Sequence, residues 1–462
     1  MRFTLAKKVY VLLFLVYSCG GDVEDSDTKV GTQDYISNVE NYVGEYQSWS
    51  TEKEVCKLRI YRPENNFKTE ACVGGEQATH TYEQMREIIQ GIDPKKTLVI
   101  GNGGAGAIGF IKYLAPIYNS MHLESQTTFI WRAAHSFQNL RDYDSIDLAI
   151  TYEPHMELEA KNTAEKIAQV DSFFLNHFEL SAPQDDPLCI KSHLIDPVTE
   201  TVLNNECPVV SDEAKIDKRD VVGIMTKIIS QTLSSATDVQ TMRYRYASRY
   251  NHSAMGEKDH TLFLLAIKEL VNKAVERADE NKDFDFGNEL INAIFPKNVE
   301  YTKEYLSIVL YDSWMRHVQI FPTQFPWDMM KIANETGLYH SNDRAFYRSE
   351  KFQFNVDQYL SKIDDSDIEN IFINPAQLWC VKEHEGKQNS IAMEFLSWIK
   401  TAEAKDAINS FVPEGQTEQL YIASDYTFDE TYQAYNRHIE NRILSEDQRI
   451  EDRWQQHAAT AE

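Results

Sequence analysis

A short apolar strand, Thr97-Leu98-Val99-Ile100, runs straight into Gly101-Asn102-Gly103-Gly104-Ala105-Gly106-Ala107-Ile108-Gly109. Phe110, Leu114, Ile117 and Tyr118 follow at helical spacing. Strand, glycine-rich loop and helix in that order open a parallel α/β unit, because parallel strands need a crossover between them. The alternation continues. Thr127 to Trp131 reads as a second strand, followed by Arg132-Ala133-Ala134-His135-Ser136 and a helix over 137–141. Ile146 to Thr151 reads as a third, ending in Tyr152-Glu153-Pro154. Backbone N–H groups at a helix start favour negative charge, and glycines let a ligand approach the backbone closely. Gly101–Gly106 is therefore a candidate oxyanion cradle. It also approximates a dinucleotide fingerprint, but that pattern needs a carboxylate at the end of the second strand. Here that strand ends in Ile130-Trp131-Arg132.

The chain has 462 residues, enough for two lobes, and 42% of them are hydrophobic, which fits a globular body. Its formal charge is −26, from 72 acidic and 46 basic residues. That balance argues against nucleic acid or an anionic membrane as partner. An anionic ligand would need a locally positive pocket. At the N-terminus, Arg2, Lys7 and Lys8 precede the apolar run Val9–Val16, too short to span a bilayer. Val16-Tyr17-Ser18-Cys19-Gly20-Gly21 then resembles a bacterial lipobox, which implies cleavage before Cys19 and acylation of that thiol. The alternative is an ordinary signal peptide cut near Ser18 or Gly20. Of the other cysteines, Cys56–Cys72 and Cys189–Cys207 are locally spaced pairs suited to disulfides in an oxidising compartment, and Cys380 reads as a buried thiol.

The expected organisation is a signal peptide at 1–19, a tether at 20–35, an N-terminal extension at 36–96, a main body at 97–425 and a helical tail at 426–462. The extension carries a hairpin, Cys56 to Ile60 with Thr69 to Val73, and a helix over Tyr82 to Gln90. Residues 183–215, rich in Pro and Asp, read as an insertion. Helices are expected over 221–235, 258–280, 301–317 and 390–401, with strands near Ile371 and Gln377.

A second candidate site is Ser248-Arg249-Tyr250-Asn251-His252-Ser253-Ala254-Met255. Arg supplies a planar fork of donors, and a Ser at a helix N-cap supplies a hydroxyl with the N–H groups beyond it. The rest of the chemistry is thin. His135, His155, His177, His252 and His317 are not spaced as ligands of one metal, and there is no nucleophile elbow or HExxH. Neither a cofactor nor a catalytic constellation is expected. Asn251-His252-Ser253 and Asn334-Glu335-Thr336 are glycosylation sequons; a glycan on Asn251 would fill the proposed cleft, which favours a bacterial source.

These stretches, taken in order, resemble the periplasmic-binding-protein type 2 family, in its extracellular tungstate-binding branch. Thr97 to Tyr118 and Asp147 to Glu153 match its first strands, and Phe173 to Pro183 with Asp186-Pro187 its crossing between lobes. Ser248 to Ala254 is similar to its Ser-Arg loop, and Tyr339-His340-Ser341-Asn342-Asp343-Arg344 to its Tyr-Thr-Leu-Thr-Asp-Arg segment. Asn374-Pro375, Ala392 to Trp398, Ile408 to Phe411 and Gly415 to Ala423 complete the order, over roughly 97–425.

The resemblance implies an α/β, two-lobed periplasmic-binding-protein (type 2) fold, with mixed sheets flanked by helices. Lobe 1 would take about 97–180 and 346–425, and lobe 2 about 181–345. It implies no enzyme but an exported solute-binding protein, monomeric, lipid-anchored or secreted, clamping a tungstate- or molybdate-like oxyanion for an ABC transporter permease. Asn102, Gly103, Gly104, Ala105, Gly106, His135 and Ser136 would line one lobe, with Tyr152 and Glu153 beside them; Arg249, His252 and Ser253 would come from the other. The chain departs from the branch in three places. Its first loop lacks hydroxyls, Met255 replaces a Thr, and Tyr152-Glu153 sets a carboxylate where an anion would lie. The alternative is a sensor or binding module for a different small organic solute, uncoupled to transport.

Overall fold

The computed structural model describes residues 58–73, 79–124, 126–133, 146–152, 157, 167–195, 207, 215–235, 245–249, 254–279, 318–320, 326–347, 359–361, 370–381, 390–416 and 418–434. The chain begins with β1 (Leu58–Tyr61) and β2 (Thr69–Val73), an antiparallel hairpin. Helix α1 (Tyr82–Gln90) follows, started by a capping box in which Thr81 and Gln84 satisfy each other's backbone N–H. Then come β3 (Thr97–Asn102), the single turn α2 (Gly104–Ala107), α3 (Phe110–Met121), β4 (Thr128–Ala133), β5 (Leu148–Thr151) and β6 (Ile167–Ser181). The middle of the chain supplies β7 (Leu194–Ile195), β8 (Ile216–Asp217), α4 (Val221–Ser235), β9 (Tyr246–Ser248), α5 (Ala254–Asp279) and β10 (Gln319–Ile320). It ends with α6 (Pro326–Glu335), β11 (Tyr339–Asp343), α7 (Arg344–Tyr347), β12 (Ile373–Val381), α8 (Ser390–Trp398), α9 (Ala402–Asn409) and β13 (Ile422–Ala423).

The strands form two halves that share β6. In the first half the order is β4-β3-β5-β12-β6, with β3 parallel to both β4 and β5. In the second it is β10-β9-β11-β6, with β9 parallel to both β10 and β11. Every residue of β3, β4 and β5 is buried, as expected of parallel strands covered on both faces. Both halves are closed by antiparallel strands: β12 beside β5, and β6 beside β11. This is the α/β, two-lobed arrangement of mixed sheets flanked by helices that the sequence leads one to expect.

At 15 residues, β6 is roughly 50 Å long, enough to run through both halves. It pairs with β12 from Ile167 to His177 and with β11 from Phe178 to Ser181, so the chain crosses between the halves at His177–Phe178. Three details differ from the sequence reading. The strands expected near Ile371 and Gln377 are one strand, β12. The hairpin does not stand apart: β1 pairs with β4 and extends the edge of the first half. Helix α5 begins at Ala254, four residues earlier than expected. Cys189 and Cys207 are joined by a disulfide, and Cys380 is a buried thiol whose Sγ lies 3.8 Å from the Met393 Sδ. Cys72 is also disulfide-bonded. Its expected partner Cys56 lies outside the described residues, as do Cys19 and the tether.

The apolar packing under the first crossover is aromatic. Phe110, the first residue of α3, meets Phe174, Phe411 and Tyr421 edge-on at 5.1, 5.0 and 4.9 Å between ring centroids. Such pairs add to plain area burial. They fix where α3 starts, and therefore where the glycine-rich loop must turn.

Candidate functional site

In an open α/β sheet, the crevice forms outside the carboxyl ends of the strands, where the strand order reverses. The chain leaves β3 for β4 on one side and later places β5 on the other, so the first reversal lies at the end of β3. It leaves β9 for β10 and later places β11 on the opposite side, so the second lies at the end of β9. Gly101–Gly106 occupies the first point and Arg249 the second. The two faces meet: α7, just after β11, packs on α2. Asp343, at the end of β11, is near enough to Tyr152, just after β5, to act on it electrostatically.

At the first point, Asn102 organises the loop. It is fully buried. Its Nδ2 donates to the Tyr152 hydroxyl at 2.6 Å and to the Ile150 carbonyl at 3.3 Å. Its Oδ1 accepts from the Gly106 N–H at 2.6 Å. The Ala105 backbone favours the ionised form of the Tyr152 hydroxyl slightly, far less than burial opposes it. Ala105 and Gly106 face inward, whereas Gly103 and Gly104 are partly exposed. Those two glycines present the open part of the loop. Tyr152 is itself buried, and burial above all raises its pKa, with Asp343 adding to the effect. It stays a neutral hydroxyl.

At the second point, Ser248 and Arg249 are buried, and α5 starts five residues beyond the arginine. Beneath them lies Asp259, fully buried and surrounded by hydroxyls. Burial pushes its carboxyl up to about 7, against the opposing pull of Ser341, Tyr246, Ser248 and Arg249. Between the two points sits the crossing. Asn176 of β6 donates to Asp343 at 2.8 Å, the Ala345 N–H donates to the same oxygen, and burial raises Asp343 to about 6. Lys258 of α5 donates to the Ile371 carbonyl at 3.1 Å, tying the second crossover to the segment before β12.

The structure brings Asn102, Gly103, Gly104, Ala105, Gly106 and Tyr152 together on one side and places Arg249 on the other. His135, Ser136, Glu153, His252 and Ser253 lie outside the described residues. Sequence reasoning missed Asp259. The signal was present: Met255, Asp259, Leu262, Phe263 and Ala266 follow helical spacing and all are buried, so a carboxylate sits in the apolar stripe of α5. Among the described residues no cluster of His, Cys, Asp or Glu could hold a metal ion. One surface hollow, lined by Met121, Met393 and Trp398, lies away from these points; another, lined by Arg344 and Tyr421, lies beside Asp343 and Tyr152.

The buried titratable groups predict a pH signature. Asp259 is raised from 3.8 to about 7, so its ionisation opposes folding, by nothing below about 4 and fully above about 7. His260 and His340 are lowered by burial from 6.5 to about 4, so they favour the fold above 6.5 and lose that contribution as pH falls towards 4. The slopes oppose one another between pH 4.5 and 6.5. Asp259→Asn removes one of them. Denaturation of this variant across that window should show stability rising more steeply with pH than in the parent; parallel profiles would contradict the assignment.

No family model matches the chain, and no curated protein matches it by sequence. Solved structures resemble it. A tungstate-binding protein from Desulfovibrio alaskensis is 16% identical with a TM-score of 0.43, over 71% of this chain and 98% of that one. A tungstate ABC transporter structure from Geobacter sulfurreducens is 12% identical with a TM-score of 0.40, over 69% and 100%. An ABC-type phosphate transport receptor from Vibrio cholerae is 14% identical with a TM-score of 0.35, over 71% and 100%.

Proposed function

We propose that this protein is an exported solute-binding protein that captures a small oxyanion between its two halves and passes it to an ABC-type permease. One observation carries the reading. Both strand-order reversals end in groups that attract anions: a glycine loop whose outer residues are Gly103 and Gly104, and a buried arginine before the start of a long helix. Closure of one on the other removes water from the anion and strengthens every donor contact. His135, Ser136, His252 and Ser253 would add donors from the adjoining loops, and Glu153 would lie beside the first loop. Export, a lipid anchor at Cys19, a monomeric state and a non-enzymatic role belong to the same proposal. So do the domain boundaries, with lobe 1 at about 97–180 and 346–425 and lobe 2 at about 181–345.

Asp343 and Tyr152 favour a second reading, in which the solute carries a proton or a cationic group. Thermal unfolding of the chain from Gly20 onward, with tungstate, molybdate, sulfate, phosphate and a panel of organic solutes, separates the two. A ligand that binds only the folded state stabilises it by about 2.7 kcal/mol at a hundredfold excess over Kd. An oxyanion should raise the transition. A shift with an organic solute alone would keep the crevice and replace the ligand.

A further inference from the structure

Asp259 sits in the second turn of α5 and is fully buried. The Tyr246 hydroxyl donates to its Oδ1 at 2.7 Å and the Ser248 hydroxyl to its Oδ2 at 2.8 Å. The Ser341 hydroxyl also donates to Oδ1. One carboxylate therefore gathers hydroxyls from two neighbouring strands, β9 and β11, and binds them to the helix that follows Arg249. Ser248 is the residue immediately before that arginine. Burying a carboxylate is costly unless its charge is answered. Tyr246, Arg249 and Tyr347 are the titratable groups that act on Asp259 from β9, its following loop and α7. Burial keeps both tyrosines neutral, so of these three Arg249 supplies the countercharge.

We propose that Asp259 is the positioning residue of the anion site: it anchors Ser248 to β11 and α5, and its charge holds the Arg249 guanidinium towards the crevice. The proposal rests on the oxyanion reading and assigns the residue that preorganises it. The carboxylate does not touch the ligand. It acts through Arg249, whose position decides whether the guanidinium meets an entering anion already aligned or must be ordered by it, and preorganisation improves affinity.

Trypsin reports the position of Arg249 without any ligand, because this buried arginine must leave its place to be cut. The folded full chain is digested at pH 8 and the peptides identified by mass. Asp259→Asn, which keeps the shape and removes the charge, should speed cleavage after Arg249 about tenfold or more. Cleavage after Lys268, buried on α5 and away from the substituted residue, should not change. Ser341→Ala removes a hydroxyl that favours the ionised carboxylate, so it should move the rise in cleavage after Arg249 on acidification to higher pH. In the parent, cleavage after Arg249 relative to the other sites should increase from pH 8 to pH 6 as Asp259 takes up a proton, and in Asp259→Asn it should not vary. The same variant should bind tungstate or sulfate about tenfold more weakly by titration calorimetry.

Unchanged cleavage after Arg249 in Asp259→Asn would overturn the proposal. If that variant is cut everywhere at once, the pH series on the parent decides, and a flat series overturns it. Failure of every oxyanion to bind the parent would defeat the oxyanion reading, while the cleavage data would still decide whether Asp259 holds Arg249.

Discussion

If the proposed clamp holds, Arg249→Ala is expected to weaken oxyanion binding about 100-fold or more, by the order of 3 kcal/mol, because it removes the buried, charge-assisted donor assigned to one wall of the crevice. Arg249 is 4% exposed and follows a strand whose three residues are all buried, so its backbone has little freedom to move. The same substitution takes away the charge that favours ionised Asp259. The variant should therefore show a second effect: its stability should fall further, relative to the parent, as pH rises through 7. Titration calorimetry measures the first effect and denaturation at two pH values the second. Binding equal to the parent would show that the guanidinium does not face the ligand.

Gly106→Ala is expected to lower stability by about 3 kcal/mol, through overpacking against a ring that cannot yield. A Cβ built on Gly106 would lie 1.9 Å from Trp131 Nε1 and 2.4 Å from its Cδ1 and Cε2. Trp131 is fully buried; its indole N–H donates to the Asn102 carbonyl at 3.1 Å, and the Arg59 guanidinium lies over its ring at 4.8 Å. The glycine is required here for close approach of loop to strand, not for a left-handed turn. Relief of the overlap would push the loop outward and break the Gly106 to Asn102 hydrogen bond, so ligand binding should weaken with stability. Thermal unfolding several degrees below the parent is the expected result, and an unchanged transition would contradict this packing.

The strands at the heart of the first half were legible because parallel strands buried on both faces read as continuous apolar runs, and Leu98–Ile100 and Leu148–Ile150 do. Strand β12 was less legible, since Pro375 breaks the pattern. The structure tolerates it because β5 pairs only with Gln377–Cys380, so on that side Pro375 has no neighbour to which an N–H would be owed. The resemblance placed the crossing within Phe173–Pro183, but that one unbroken strand, β6, pairs on both sides of it was not legible, because a strand's partners are chain segments far away in sequence. In the candidate site, Arg249 and the glycine loop stood out by residue type and context. Asp259 did not, because one acid in a long helix looks like a solvated position unless its helical phase is followed. Asn102 is expected from sequence to line one lobe; its amide is turned inward to Ile150, Tyr152 and Gly106, so what its side chain contributes is the shape of the loop.

The most direct test of the central claim is X-ray diffraction from crystals grown with tungstate, recorded at the tungsten absorption edge. One anomalous peak between the Gly103–Gly104 backbone and the Arg249 guanidinium is predicted, and it should vanish in Arg249→Ala crystals treated alike. A peak only elsewhere on the surface, or a crevice filled by an organic solute carried through purification, would contradict it.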